Sequence, residues 1–212
     1  MANTTSPLKG LITWDSEGNE GGDFHSRKLH VPGDTSGATV GRGYDMKNRT
    51  ASAVLNDLVQ SGVDLDTAQK MSGCAGLQGQ QAKDYISRNG LGSLEISKEA
   101  QVKLFETEYL RQSADVKRIC TKPDVQKKFG NTKWSEIHPG IKELLIDLKF
   151  RGDYTPATRT LIQSFAAKND FAGLLTVLGN RSLWMRVPQD RYARRLKFFI
   201  NVAGPYLKKS SK

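Results

Sequence analysis

From Thr50 onward, apolar residues recur at intervals of three and four, interrupted by Gly, Pro or Asn. This rhythm predicts helices over 50–61, 65–74, 78–88, 97–119, 139–150, 156–168, 170–178 and 188–203. In the longest, Val102, Phe105, Tyr109 and Val116 form an apolar stripe suited to a core. Asp64, Ser97 and Thr155-Pro156 supply cap signals. Ahead of this region, Ser6-Pro7 reads as a helix opening, and Leu8, Leu11 and Ile12 follow at helical spacing towards a stop near Gly18. Between Gly18 and Asp45 the periodicity vanishes and seven glycines occur from Gly18 through Gly43. That stretch predicts a loop and a small hairpin, with Ala38 to Gly41 as one strand. No tandem repeat or low-complexity tract interrupts the pattern, and a short basic tail, Lys208 to Lys212, is expected to fray.

The pattern therefore predicts an α+β chain that is predominantly α, with a small hairpin lobe over about 15–50 and a helical lobe over about 51–207 of a single domain covering 1–212. A cleft between the lobes is the expected ligand site. With 37% hydrophobic residues the chain can bury a core. Disorder is excluded.

Charge adds a constraint on partners. Thirty-two basic residues against 22 acidic ones leave a formal charge of +10, which favours polyanions: nucleic acid, anionic membrane or the carboxylates and phosphates of a bacterial envelope. No nucleic-acid-binding motif is present, so no specific nucleic-acid partner is expected. Cys74 and Cys120 are too few and too far apart for a disulfide scaffold or a four-cysteine zinc site, and free buried thiols are expected over a bridge. The first ten residues lack a basic then apolar leader, and no apolar run reaches about 18 residues. The expectation is a monomer made in the cytoplasm without membrane insertion, acting elsewhere only if delivered.

The informative chemistry lies in Trp14-Asp15-Ser16-Glu17-Gly18-Asn19-Glu20-Gly21-Gly22 and in Ser36-Gly37-Ala38-Thr39-Val40-Gly41-Arg42-Gly43-Tyr44-Asp45. A carboxylate at a helix C-terminus, beside Trp14, faces the negative end of the helix dipole, and both neighbours favour its protonated form. Glu17 is thus a candidate general acid. The glycines around Thr39 permit a tight hairpin with its hydroxyl as a polar handle, and Asp45 adds a carboxylate in a more polar setting. Two carboxylates held at different acidities suit glycosidic cleavage, one protonating the leaving oxygen and the other orienting water.

A glutamate-glycine pair ending a first helix, followed by this Gly-x-Thr-x-Gly-x-Gly hairpin, resembles the phage-type lysozyme superfamily. The Tyr44-Asp45 ending is most similar to the pesticin-like muramidases. The resemblance is strong over roughly residues 8–46. It implies a lysozyme-like fold that hydrolyses peptidoglycan between N-acetylmuramic acid and N-acetylglucosamine. Glu17 is the implied acid, Thr39 the holder of the nucleophilic water and Asp45 the second carboxylate, with no cofactor. Gly41 and Tyr44 on the hairpin are expected to touch substrate. Leu144 to Asp153 is similar to the family's mid-chain cleft helix, which adds Asp147, Phe150 and Arg151 as expected substrate contacts. Arg191-Tyr192-Ala193-Arg194-Arg195 is similar to its C-terminal basic helix.

Rivals remain open at this point. Glu20, also followed by glycine, competes with Glu17, and Asp34 competes with Asp45. For Asp147 and Asp153, capping and pairing with Arg151 compete with sugar binding; Arg191, Arg194 and Arg195 read as a solvated face or as contacts to anionic wall polymer. His25, His30 and His138 are too scattered for a zinc motif, and Asp34 and Asp45 lack the spacing of a calcium loop, so no metal is expected. A lytic transglycosylase and a catalytically silent wall-binding module are the alternative functions. The biological setting lies between a phage endolysin, released through holin pores, and a secreted effector or bacteriocin domain, with an immunity protein as partner in the effector case.

Overall fold

The computed structural model describes residues 6–21 and 25–208; Gly22 and most of the basic tail fall outside the described residues. The architecture among them is predominantly helical, with one two-stranded antiparallel sheet. The chain divides into two compact units, residues 1–109 and 110–212. The division falls inside one long helix, well past the expected lobe edge near residue 50.

The first unit begins with a single helical turn, α1, Leu11–Trp14. The helix expected from Ser6-Pro7 does not form. Gly10 precedes α1 in the left-handed conformation, φ 74°, with its α-carbon seated against the Tyr109 ring, where any β-carbon would lie 2.4 Å from Cε2. A contact almost a hundred residues away thus overrides the local opening signal. Strands β1, Thr39–Val40, and β2, Tyr44–Asp45, form the hairpin, closed by Gly41-Arg42-Gly43. It is shorter than the expected strand.

Helices α2, Ala51–Ser61, α3, Leu65–Ser72, and α4, Gly79–Arg88, follow within one or two residues of the ranges the periodicity predicts. Asp64 caps α3 by accepting from Thr67 N at 2.9 Å, as its sequence position requires. The hydrophobic core of this unit gathers Val40, Tyr44 and Met46 from the hairpin region, Val54 and Leu58 from α2, and Met71 from α3. Helix α5, Lys98–Cys120, runs through the unit boundary, and all four residues of its expected stripe are buried.

The second unit holds the rest of α5, then α6, Pro123–Phe129, α7, Pro139–Arg151, α8, Pro156–Ala167, α9, Phe171–Gly179, a 3-10 turn at Arg181–Trp184 and α10, Gln189–Leu207. Helix α6 has only two turns and escapes the periodicity, although Pro123 at its first position follows the usual rule. Thr155 caps α8 through Thr158 N, as expected. Cys74 and Cys120 are free and buried. Burial pushes the Cys74 thiol up to about 11, and it raises Cys120 as well. Among the described residues, no helix is long and apolar enough to cross a membrane.

Candidate active site

Glu17 lies three residues beyond α1, on a turn whose backbone continues through Ser16 N to Thr13 O at 3.0 Å and Glu17 N to Trp14 O at 3.4 Å. It is therefore carried past the helix end, not within the last turn. The side chain is half-buried, and its Oε1 is shielded from solvent.

Arg42 fixes that turn. From between the two hairpin glycines it donates through Nη1 to Trp14 O at 2.7 Å and Gly18 O at 2.9 Å, and its guanidinium stacks 4.3 Å from the Trp14 ring centre. The two carbonyls flank Glu17. The hairpin turn and the glutamate-bearing segment are consequently joined by charged hydrogen bonds, a role that an Arg between two glycines hints at but that sequence reading missed.

Thr39 and Asp45 are cross-strand partners, so their side chains share one face of the hairpin. Both side chains converge on Gly37. Thr39 Oγ1 donates to Gly37 O at 3.3 Å, while Gly37 N donates to Asp45 Oδ2 at 3.2 Å and Lys47 N to Asp45 Oδ1 at 2.7 Å. Gly37 has no room for a side chain, since a β-carbon would lie 2.3 Å from Asp45 Oδ1. Thr39 is buried and Asp45 half-buried.

The rival carboxylates separate clearly from these. Glu20 meets Arg27 Nε at 2.9 Å and Arg42 Nη2 at 3.7 Å, and accepts from Gln101 Nε2 at 2.7 Å. Its partial burial opposes ionisation, but the hydrogen bonds from Gln101 and Arg27 and the charges of Arg27 and Arg42 outweigh it and hold the carboxyl below its ordinary value. A glutamate so bound keeps its charge and is poorly suited to donate a proton. Asp34 is exposed and meets Lys83 Nζ at 3.1 Å. His25 bonds within its loop, accepting from Gly21 N at 2.6 Å and facing Glu95 at 3.2 Å.

Several expected substrate contacts are structural. Tyr44 is 1% exposed, its hydroxyl donating to Asp57 Oδ2 at 2.6 Å and its ring covered by Arg49. Gly41 is buried, its N–H donating to Ser26 O at 2.7 Å. Neither presents a surface to a polymer. Asp147, in the second unit, is 0% exposed and accepts from Arg191 Nη2 at 2.8 Å and Arg195 Nε at 2.7 Å. It ties α7 to α10 and is out of reach of ligand. The same bonds overturn the solvated face expected of Arg191 and Arg195, which are four residues apart and point to one side of α10; only Arg194 of the three is exposed. Phe150 and Arg151 are half-buried, and Arg151 pairs with Asp153 as expected.

Two cavities mark the units. In the first, a shallow one of about 440 Å³ lies by Leu29, His30, Lys83 and Ile86. In the second, one of about 610 Å³ opens beside Arg151, Asp153, Thr155, Ser182, Met185 and Arg186. Neither is lined by Glu17, Thr39 or Asp45.

The arrangement joins an acid-bearing turn to a hairpin with a hydroxyl and a carboxylate side by side. Over residues 10–196 the chain matches the model of a family described as a domain of unknown function, DUF8812, and it belongs to that family. No curated protein matches it.

Proposed function

We propose that the protein is a lysozyme-like muramidase that hydrolyses the glycan strands of bacterial peptidoglycan. The observation that carries the reading is the pairing of Thr39 with Asp45 on a hairpin whose Arg42 grips the two carbonyls around Glu17. Glu17 donates its proton to the bridging oxygen as the glycosidic bond breaks, so that the leaving sugar departs as a neutral alcohol and positive charge develops on the sugar that keeps the anomeric carbon. Water held by the Thr39 hydroxyl and the Asp45 carboxylate attacks the anomeric carbon, and Asp45 takes up the water's proton. Asp45 releases that proton to solvent and Glu17 takes one up, which completes the cycle with no cofactor required. The net charge of +10 supports attraction to an anionic wall.

The test is clearing of outer-membrane-permeabilised bacteria by wild type, Glu17→Gln, Glu20→Gln, Asp34→Asn and Asp45→Asn, with folding checked by circular dichroism. Near-total loss is expected for Glu17→Gln and Asp45→Asn alone. Full activity in folded Glu17→Gln refutes the assignment. Mass spectrometry of released fragments separates hydrolysis, which gives reducing ends, from a transglycosylase, which gives anhydro ends.

A further inference from the structure

The second unit carries a buried cluster of guanidiniums and carboxylates. Buried Asp147 binds Arg191 and Arg195, and Asp153 binds Arg195 at 3.1 Å and also pairs with Arg151. Arg195 is 1% exposed, and its Nη1 is buried without a hydrogen-bond acceptor among the described residues. The outer members, Arg151 and Asp153, form a wall of the 610 Å³ cavity.

A further cation, Arg186, also lines the cavity. It is exposed, and its side chain makes no ion pair among the described residues, while its carbonyl accepts from Arg151 Nη2 at 2.9 Å. The rest of the rim is amphipathic. Leu183 and Met185 are exposed large apolar side chains, and Thr155, Thr158 and Ser182 offer hydroxyls. The Arg186 guanidinium beside apolar surface and small hydroxyls selects an anion that also has apolar groups. A bare phosphate would leave Leu183 and Met185 uncovered; a small neutral sugar would leave the charge unanswered. The volume suits a few residues of extended peptide.

We infer that this cavity binds a short carboxylate-bearing peptide, and, resting on the muramidase reading, that the peptide is the acidic stem attached to the glycan. A stem carboxylate pairs with Arg186, and an alanine methyl lies against Leu183 and Met185.

The probe is the free peptidoglycan stem tetrapeptide, added to the intact protein and followed by calorimetry and amide-shift titration. Saturable binding that shifts residues 151–158 and 182–187 is expected, weakened at least tenfold by Arg186→Glu and abolished by Ser182→Trp, which fills the cavity. Equimolar inorganic phosphate is expected not to compete. Glu17→Gln is expected to bind the peptide as wild type does, so hydrolysis and peptide capture are read separately. Loss of clearing activity from the wild type sinks the muramidase reading alone. Absence of peptide binding, binding unchanged in both cavity variants, or displacement by phosphate overturns the peptide site whatever the enzyme cleaves.

Discussion

Arg42 Nη1 sits 2.7 Å from the carbonyl oxygen of Trp14 while its guanidinium plane lies 4.3 Å from the same residue's ring centre, so one side chain both bonds and covers the end of α1. Gly18 O takes a second bond from the same nitrogen. Burial pushes the Arg42 pKa down, opposed by the charges of Glu20 and Asp15, but a guanidinium remains charged throughout the physiological range. Truncation removes two charge-assisted bonds and strands two carbonyls. Arg42→Ala is expected to cost about 2–4 kcal/mol of unfolding free energy in urea. Arg42→Lys, which has no planar guanidinium to lie over the Trp14 ring, recovers less than half. A loss below about 1 kcal/mol would show that the clamp is not what holds the turn.

Glu20 gives a pH signature. Its folded carboxyl is held below the ordinary value of 4.5, so the folded chain binds fewer protons than the unfolded chain in that region. The stabilisation is complete above the unfolded value and is lost as the pH falls through the folded one. Glu20→Gln is therefore expected to melt below wild type at neutral pH, with the gap closing as the pH falls below 4.5 and through the folded value. Because the side chain is 39% exposed and screened, the gap corresponds to no more than about 1 kcal/mol. A melting difference independent of pH would assign the effect to packing instead.

Asp147 is the opposite case, a carboxylate out of water between Arg191 and Arg195. Replacing it by Asn preserves shape and removes the charge that both buried guanidiniums share, leaving Arg195 with Asp153. Asp147→Asn is expected to lower unfolding free energy by about 3–5 kcal/mol, measured by urea denaturation. A cost under about 1 kcal/mol would mean that water reaches the pair.

What the sequence discloses and what it hides differ in range. The hairpin and most helices were legible because their signals are local: Thr155 before Pro156, Asp64 three residues before Thr67, glycines on either side of Arg42. Asp147 read as a candidate substrate contact because, taken locally, it is a charge near a helix end, and Arg195 as part of a solvated basic face or a contact to wall polymer. Their burial comes from a partner 48 residues away, which no window along the chain contains. Tyr44 was misread for the same reason, since Asp57 and Arg49 claim it only once the hairpin packs on α2. Glu17 and Glu20 looked alike in sequence, each preceding glycine, and only the convergence of Arg27, Arg42 and Gln101 on Glu20 tells them apart.

Gly37 offers the sharpest separation of site geometry from fold. Its carbonyl takes the Thr39 hydroxyl and its N–H takes Asp45 Oδ2, so one peptide unit on either side of a single α-carbon sets both groups that the proposed reaction uses to hold water. A methyl there would approach Asp45 Oδ1 to 2.3 Å and the Lys47 backbone N to 2.7 Å. The carboxylate must then turn away, breaking its bond to Gly37 and drawing off the Lys47 N–H. Gly37→Ala is expected to destabilise by about 1–3 kcal/mol through overpacking. Its glycan-clearing rate is expected to fall at least a hundredfold, because a misplacement near 1 Å at the water-holding groups costs about that factor. The check compares rate and melting temperature against a variant of equal stability loss far from the hairpin, such as Ile162→Val in α8, whose side chain is fully buried. Equal rate losses in the two variants would mean that stability alone is being read, and would remove Asp45 from the water-holding role.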